Sequence, residues 1–338
     1  MVVWYNKSME KYEPPFVITN EMLNIVSEIM EIIGRIGVTD NLNRFPVLRK
    51  QNRVRSIHSS CFIEANSLSL DQVQDIINGK TVIGPEKDIV EIKNAIKAYD
   101  EMETTNPFSI KDLKRIHGIV GRDVVKNAGE FRTGNEGVKD ENGNIVFIAP
   151  PPELVNGLMT NLLKWCKQNF KAINPLILSS VFHYEFVFIH PFRDGNGRTA
   201  RLWQTCLLGK WKDVFYYLPI ENYIKDNQED YYKAISASHI AGNSNPFIVF
   251  MLKMIKNALN DLTKDTTISS DDSIYVKKLI SVMPYGVYLT ASEILDLLNL
   301  KSKETLRKNY LDPAISSGQI ILEYPDKPTS KNQRYKKV

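Results

Sequence analysis

The chain is short of the features that mark the specialised protein classes. Its three cysteines, Cys61, Cys166 and Cys206, are odd in number, far apart and without a CxxC pair. That argues against a disulfide framework and a thiolate zinc site, and fits small buried thiols in a reducing cytoplasm. No apolar run approaches the roughly 20 residues that span a bilayer. The longest near the middle, Phe182 to Ile189, is broken by His183 and Glu185. Residues 1–14 have no apolar h-region and carry Glu10 and Glu13, so they do not read as a secretory signal. Neither sign of charge dominates: 43 Lys and Arg stand against 39 Asp and Glu, a net +4. So small an excess marks neither a nucleic-acid binder nor a protein held on acidic lipid. The basic residues at the end, Lys331, Arg334, Lys336 and Lys337, read as a solvated terminus. Internal repeats and low-complexity tracts are missing too.

What is present describes an ordinary folded chain. At 338 residues, roughly 150 per domain gives about two domains. With 43% apolar and 24% charged residues, a core forms without covalent staples. The dominant period is helical. Apolar residues recur at helical spacing in Met22–Ile33, Ile89–Tyr99 and Leu113–Val120. Thr19 or Asn20 caps the first, and Ser109 with Asp112 starts the third in capping-box style. Pro151 and Pro152 open a helix with Leu154, Leu158, Leu162 and Trp165 on its apolar face. Pro175 opens another that runs to Ile189.

Two segments depart from this rhythm. Gly129 to Pro150 reads GEFRTGNEGVKDENGNIVFIAP, with Asn142-Gly143 as a hairpin turn between Val138 and Ile145–Ile148. Thr263–Asp272 is polar and reads as a linker. Beyond it, Ile274–Ile280 is a short helix, Thr290 and Glu293 form a capping box, and Ser302 opens a helix through Leu306 and Tyr310. Gln319–Leu322 and Arg334–Lys336 then read as strands. Three helices and a two-stranded wing make a winged-helix pattern, with Lys303, Arg307 and Lys308 on the third helix. Three cations are compatible with DNA phosphates, and equally with a module that only mediates partner contact.

The chemistry is concentrated in His190 to Arg201, HPFRDGNGRTAR. A Gly-Asn-Gly turn feeding a helix leaves backbone N–H groups without intrahelical partners, and the helix dipole adds to them, forming an anion cradle. Gly195 and Gly197 permit close approach of a phosphate; Arg198 and Arg201, three apart, can each fork onto its oxygens. Asp194 is a hard ligand for Mg2+ beside phosphates. His190 is the side chain able to take a proton near neutral pH. Taken singly, a His before Pro, a Gly-Asn-Gly turn and an Arg pair are ordinarily structural. Together in twelve residues they describe phosphoryl or nucleotidyl transfer with a general base.

This segment resembles the signature of the Fic (filamentation induced by cyclic AMP) domain family, H-x-F-x-[D/E]-G-N-G-R-x-x-R, at every fixed position. Ile116-His117, Gly129–Thr133, Pro150–Pro152 and Trp165 look like the core upstream of it, and Tyr231-Tyr232 and Asn245-Pro246-Phe247 like the core downstream. The resemblance covers about residues 50–260. It implies an all-α Fic-type helical core (106–262) with a β-hairpin flap (134–148), an N-terminal helical region (1–105) and a C-terminal winged helix (271–338). It implies a protein adenylyltransferase that moves AMP from ATP to a Tyr, Thr or Ser hydroxyl. His190 would be the base, Asp194 the Mg2+ ligand, and Phe192 the loop's anchor in the core. Gly195, Asn196, Gly197 and Thr199 would belong to the phosphate cradle, with Arg198 and Arg201 on the outer phosphates. Tyr231 and Tyr232 would lie near adenine or ribose. His239 stands where relatives often carry Asn, and one extra residue precedes Pro246, so the base pocket departs from the family pattern. The target protein would pair with the flap, and a homodimer is implied as well.

Ser59–Asn66, SSCFIEAN, is similar to the family's inhibitory motif [S/T]-x-x-x-E-[G/N], with Ser60 and Glu64 matching. Taken alone, a Glu after an apolar triplet is commonplace. The resemblance implies an inhibitory helix over about 48–64 whose Glu64 pairs with Arg201 in the place of the γ-phosphate. Ala65 stands where Gly or Asn is usual, and it adopts a positive φ with difficulty. Two other readings stand beside adenylyl transfer. Some relatives with this Glu remove AMP instead, and a DNA-associated regulator would work through the winged helix.

Overall fold

The computed structural model describes residues 12–39, 46–139, 145–266, 274–328 and 330–338. It is largely helical. The first helices are α1 (Asn20–Thr39), α2 (Pro46–Phe62), α3 (Leu70–Ile77), α4 (Glu86–Asp100) and α5 (Ile110–Val120). Strands β1 (Gly137–Lys139) and β2 (Ile145–Ile148) follow, then α6 (Pro152–Asn169), α7 (Pro175–Ile189), α8 (Asn196–Trp211), α9 (Ile220–Asp226), α10 (Gln228–Ala241) and α11 (Asn245–Thr266). The last part holds α12 (Ile274–Val282), β3 (Tyr288–Thr290), α13 (Ala291–Leu298), α14 (Lys303–Leu306), α15 (Asp312–Ser316), β4 (Ile320–Leu322) and β5 (Arg334–Lys337). No helix among the described residues is long and apolar enough to cross a membrane.

Two compact units result, Met1–Ile29 with Arg53–Ala258 and Met30–Asn52 with Leu259–Val338, taken at their described residues. This division differs from the three parts read in the sequence, because α2 from Arg53 onward, α3 and α4 pack with the core. Inside the first unit, α7 and α8 pack on each other. Both are buried on nearly every side, from Pro175 to Phe186 and from Arg198 to Gly209. Helices buried on every side belong in the middle of a bundle, and the polar groups of α8 that go with it need partners there. Asn174 starts α7 by accepting from the Leu176 N–H at 2.9 Å, and Ser109 starts α5 by accepting from Asp112 N–H at 3.2 Å. Thr19 caps α1, its hydroxyl 3.3 Å from Met22 N. In α6 the buried stripe is Val155, Met159, Leu162 and Cys166; Leu154 and Leu158 lie only partly covered at its edge.

The hairpin forms an antiparallel pair with Gly137 opposite Ile148 and Val138 opposite Phe147, and an irregularity after Val138. Its turn, Asn142-Gly143, lies outside the described residues. The expected linker is shorter than Thr263–Asp272, since α11 continues to Thr266; positions 267–272 are outside the described residues. In the second unit a core of Val276, Leu279, Ile294, Leu306, Tyr310 and Ile320 carries a three-stranded antiparallel sheet of order β3-β5-β4. The sequence reading found two of these strands and missed β3, whose three residues are too few to show alternation. The helix opened by Ser302 also runs further than Tyr310. A π-helical stretch, Arg307–Leu311, joins α14 to α15 just ahead of Pro313. That wider turn accommodates a residue with no N–H to donate.

A buried imidazole links the two central helices to α10. His183 in α7 pairs Nδ1 with Gln204 Oε1 at 2.6 Å and Nε2 with the Tyr231 hydroxyl at 3.0 Å. Burial pushes its pKa down to about 3, against about 6.5 for a free imidazole. The unfolded chain therefore takes this proton first as pH falls. Stability is fully present above about pH 6.5 and is lost as pH drops toward 3, by up to ~1.4 kcal/mol per unit. Urea unfolding at pH 7 and pH 5 is expected to show this loss, with a shallower slope in His183→Gln.

Candidate active site

The connection between α7 and α8 is six residues, His190–Gly195. His190 itself turns the chain, at φ 50° and ψ 60°, with its N–H still donating to Phe186 O at 2.9 Å. A side-chain-bearing residue in this left-handed region carries about 1–2 kcal/mol of strain. The backbone is held there by Arg132, whose Nε donates to His190 O at 2.7 Å. His190 Nδ1 lies 3.3 Å from Val187 O. Nδ1 thus carries the proton and Nε2 keeps its lone pair, the state a general base requires. Burial is the main cause lowering the His190 pKa, and Arg132 adds to it; the Val187 carbonyl, Glu136 and Glu64 oppose it.

The loop is closed by Phe192, as its expected role as core anchor implies, and by polar side chains that the resemblance gave other roles. Phe192 is fully buried and stacks on His117, ring centroids 3.6 Å apart and planes within 2°. His117 accepts from Gly129 N–H at Nδ1 and donates from Nε2 to Asp194 O, each at 2.9 Å. Burial lowers its pKa to about 4, so it stays neutral in that tautomer. Asn196 was expected in the phosphate cradle with its side chain. Instead its Oδ1 accepts from Phe192 N–H at 2.9 Å and its Nδ2 donates to Phe192 O at 2.8 Å. The Thr199 hydroxyl likewise donates to Gly195 O at 2.8 Å. Both side chains build the turn. Gly195, at φ 76°, supplies the left-handed turn that side-chain-bearing residues adopt only under strain.

What remains to face a ligand is the first turn of α8 and two guanidiniums. The amides of Asn196, Gly197 and Arg198 have no partner within the helix by position. A carboxylate lies beside them. A Cβ at Gly197 would lie 2.2 Å from Glu64 Oε1 and 3.1 Å from Arg201 Nη1. Glu64 Oε1 also accepts from Arg201 Nη2 at 2.8 Å. Arg201 is buried, and it donates further to Ser60 O at 2.8 Å and Ser60 Oγ at 3.2 Å. Burial alone would lower its pKa, but the Glu64 carboxylate outweighs that and holds it up.

Arg198 is buried as well. Its Nη1 is 3.1 Å from Glu91 Oε1, a charge contact without hydrogen-bond alignment, and its Nη2 is 3.8 Å from Asp194 Oδ1. Among the described residues, Arg198 Nε and Nη1 and Arg201 Nη1 find no hydrogen-bond acceptor. Buried donors without acceptors, beside a helix N-terminus with a carboxylate next to its glycine, fit a polyphosphate. Asp194 is half exposed, with Oδ1 accepting from Gly195 N–H at 2.5 Å. Among the described residues no three His, Cys, Asp or Glu converge as a metal cage. A single exposed carboxylate fits Mg2+ of the kind that also leans on substrate phosphates and water.

The segment carrying Glu64 is fastened at many points. Ser56 donates to Glu221 Oε2 at 2.8 Å, Ser59 to Asn222 Oδ1 at 3.2 Å, and Gln228 Nε2 to Ile63 O at 3.1 Å. Ala65 adopts the left-handed conformation after all, at φ 66°. Asn66 then donates to Glu91 Oε2 and Asp88 O, both at 3.1 Å. Tyr232 stands next to this helix end, its hydroxyl 3.4 Å from Ile63 O. Tyr231 turns its ring into the core beside His183 and Phe247, with its hydroxyl near Arg201. His239 lies under the hairpin, stacked on Phe147 at 4.3 Å with Nδ1 paired to the Tyr184 hydroxyl at 2.9 Å.

Residues 107–208 match the profile of the Fic/DOC family, and residues 275–337 that of the Filamentation induced by cAMP protein Fic-like, C-terminal domain. A protein adenylyltransferase Fic of Nematostella vectensis is 28% identical over 231 residues, 65% of this chain and 51% of its own. Protein adenylyltransferase fic-1 of Caenorhabditis elegans is 25% identical over 272 residues, 75% and 49%. The chain thus spans about half the length of the curated relatives it matches. A Fic domain-containing signalling protein of Bacteroides thetaiotaomicron shares the fold, with TM-score 0.59, 19% identity and coverage of 75% and 100%. A crystal structure of a Fic family protein from Desulfovibrio desulfuricans superposes with TM-score 0.72 at 39% identity, covering 97% of this chain and 98% of that one. A relative this similar along its whole length leaves no other assignment: the chain belongs to the Fic family.

Proposed function

We propose that this chain transfers AMP from ATP to a side-chain hydroxyl of a protein and that Glu64 restrains the transfer. The observation that carries the reading is the Glu64 carboxylate lying on Gly197 and Arg201, in the position of an anion at the N-terminus of α8. The names of the Nematostella and Caenorhabditis relatives, protein adenylyltransferases, support it.

In the reaction, the acceptor hydroxyl attacks the α-phosphorus of ATP. A new O–P bond forms, the bond to the β-phosphate oxygen breaks, and pyrophosphate leaves. His190 Nε2 takes the hydroxyl proton. Its lowered pKa keeps that nitrogen free at neutral pH, and the Val187 carbonyl keeps the ring turned toward the loop. The amides of Gly197 and Arg198 hold phosphate oxygens, with Arg201 and Arg198 on the outer ones. Asp194 would hold Mg2+, which supplies neutralisation of charge on the phosphates. The flap strands offer backbone to an extended target segment. Glu64 excludes the γ-phosphate from Arg201 by occupying it, so a bound triphosphate sits with its α-phosphorus out of line with the hydroxyl.

The same Glu64 could serve the hydrolytic removal of AMP, a reading the assay below also covers. The C-terminal unit supports a winged-helix reading through its helices and three-stranded sheet. DNA binding by it has less support, because Arg307 lies 3.7 Å from Asp312 and Arg334 pairs with Glu323.

With α-labelled ATP and a lysate of acceptor proteins, Glu64→Gly is expected to raise label transfer at least about tenfold, the equivalent of ~1.4 kcal/mol. Label released from premodified protein by the unsubstituted chain would favour the hydrolytic reading. In the Glu64→Gly background, His190→Ala is expected to lower transfer by about 10²–10⁴-fold. Because the His190 pKa is lowered, the acid limb of the rate profile is expected below pH 6.5. Ala65→Gly removes left-handed strain, less the flexibility glycine adds. It is expected to stabilise the fold by about 0.5–1 kcal/mol in urea unfolding without raising transfer.

A further inference from the structure

The hairpin and the base-bearing loop are separate in sequence, and one side chain fastens them together. Arg132 is buried. Its Nη1 donates to Gly134 O at 2.8 Å, and Nη2 donates to Pro150 O, so the guanidinium holds the chain where it enters the hairpin and where it leaves. Its Nε donates to His190 O at 2.7 Å, and Nη2 is 3.3 Å from Ile189 O. Its own N–H donates to Pro191 O at 2.9 Å. A planar fork with five donors can satisfy carbonyls on both sides at once, and a lysine ammonium cannot match that geometry.

We infer that Arg132 is a positioning residue that holds the strained His190 backbone in register with the two stems of the flap, so that a target segment on the flap and the His190 imidazole are set by the same guanidinium. The strain gives the inference its physical content. His190 would relax from its left-handed conformation toward an ordinary one if its carbonyl were released, and the imidazole would move with it. The carbonyls that Arg132 holds belong to the hairpin stems and the α7–α8 loop, not to the first turn of α8, so nucleotide binding is expected to be independent of it. The inference rests on the adenylyl-transfer reading for its rate effect, while its structural part stands independently of that reading.

The test is Arg132→Lys made in the Glu64→Gly background, with three measurements. The kcat for transfer from saturating ATP is expected to fall at least about tenfold, and the Kd for ATP to change less than about twofold. The His190 imidazole signals, resolved among the five histidines by NMR, are expected to move while those of His183 stay in place. An unchanged kcat overturns the inference, and so does a parallel loss of ATP binding, which would mark a merely structural residue. If the Glu64→Gly parent transfers nothing, adenylyl transfer fails as a reading, and the His190 signals alone decide this inference. A measurement on the unsubstituted chain covers a variant that does not fold. The Arg132 Nε proton, sealed against His190 O, is expected to exchange slowly with solvent; fast exchange overturns the inference.

Discussion

The buried positive charge around the first turn of α8 is the constraint on which the rest depends. Two guanidiniums, Arg198 and Arg201, are taken out of water beside a helix N-terminus that is itself positive. Charge in such surroundings demands an anion within contact distance. The protein supplies Glu91 to one and Glu64 to the other, at 3.1 Å and 2.8 Å. On the proposed reading a nucleotide's phosphates would meet the same demand, so substrate and Glu64 would be alternatives for one place, and restraint and catalysis would follow from the same electrostatics.

Holding that turn open takes much of the motif's polar chemistry. Asn196 closes the loop onto Phe192, Thr199 anchors it to Gly195, and His117 braces it from α5 by stacking on Phe192 and bonding Asp194 O. These groups keep the amides of the α8 first turn aimed outward. A cradle made of backbone is rigid only when side chains enforce its conformation. This is why Asn196 and Thr199, which look like ligands in the sequence, spend their side chains on the turn itself.

The helical character of the chain and the turn that feeds α8 at 190–201 were legible in the sequence because periodicity, proline starts and glycine spacing are local signals. Thr19 and Ser109 cap as their sequence suggests, and α7 begins at Pro175. The division of labour inside the motif was not legible, since nothing in a one-dimensional pattern says which way Asn196 turns. Tyr231 and Tyr232 show the same limit: adjacent residues on a helix point about 100° apart, so one enters the core and the other reaches the end of α2. Arg132, Glu91 and His117 act across long stretches of chain. Arg132 could have been suspected from an arginine just ahead of a hairpin, but its partners are carbonyls, which carry no sequence signature. Ala65 shows tertiary contacts overriding local preference. It takes a left-handed conformation because Asn66 is fixed on α4 and Glu64 on Arg201.

The two acid–arginine pairs differ in a way that bears on release. In the Arg198–Glu91 pair both side chains are buried, at 6% and 7% exposure. Removing either partner of such a pair leaves an uncompensated buried charge, at a cost of roughly 3–5 kcal/mol. In the Arg201–Glu64 pair the arginine is sealed, but the carboxylate is 31% exposed. On the proposed reading, water would take up Glu64 as it left and an incoming phosphate would take its place on Arg201. The strain at Ala65 adds to this asymmetry, because it is released when the end of α2 lets go. One acid is thus sealed into the scaffold, while the other is the one the proposed function would exchange. The exchangeable one sits on the residue that closes the motif, where a competing phosphate would arrive.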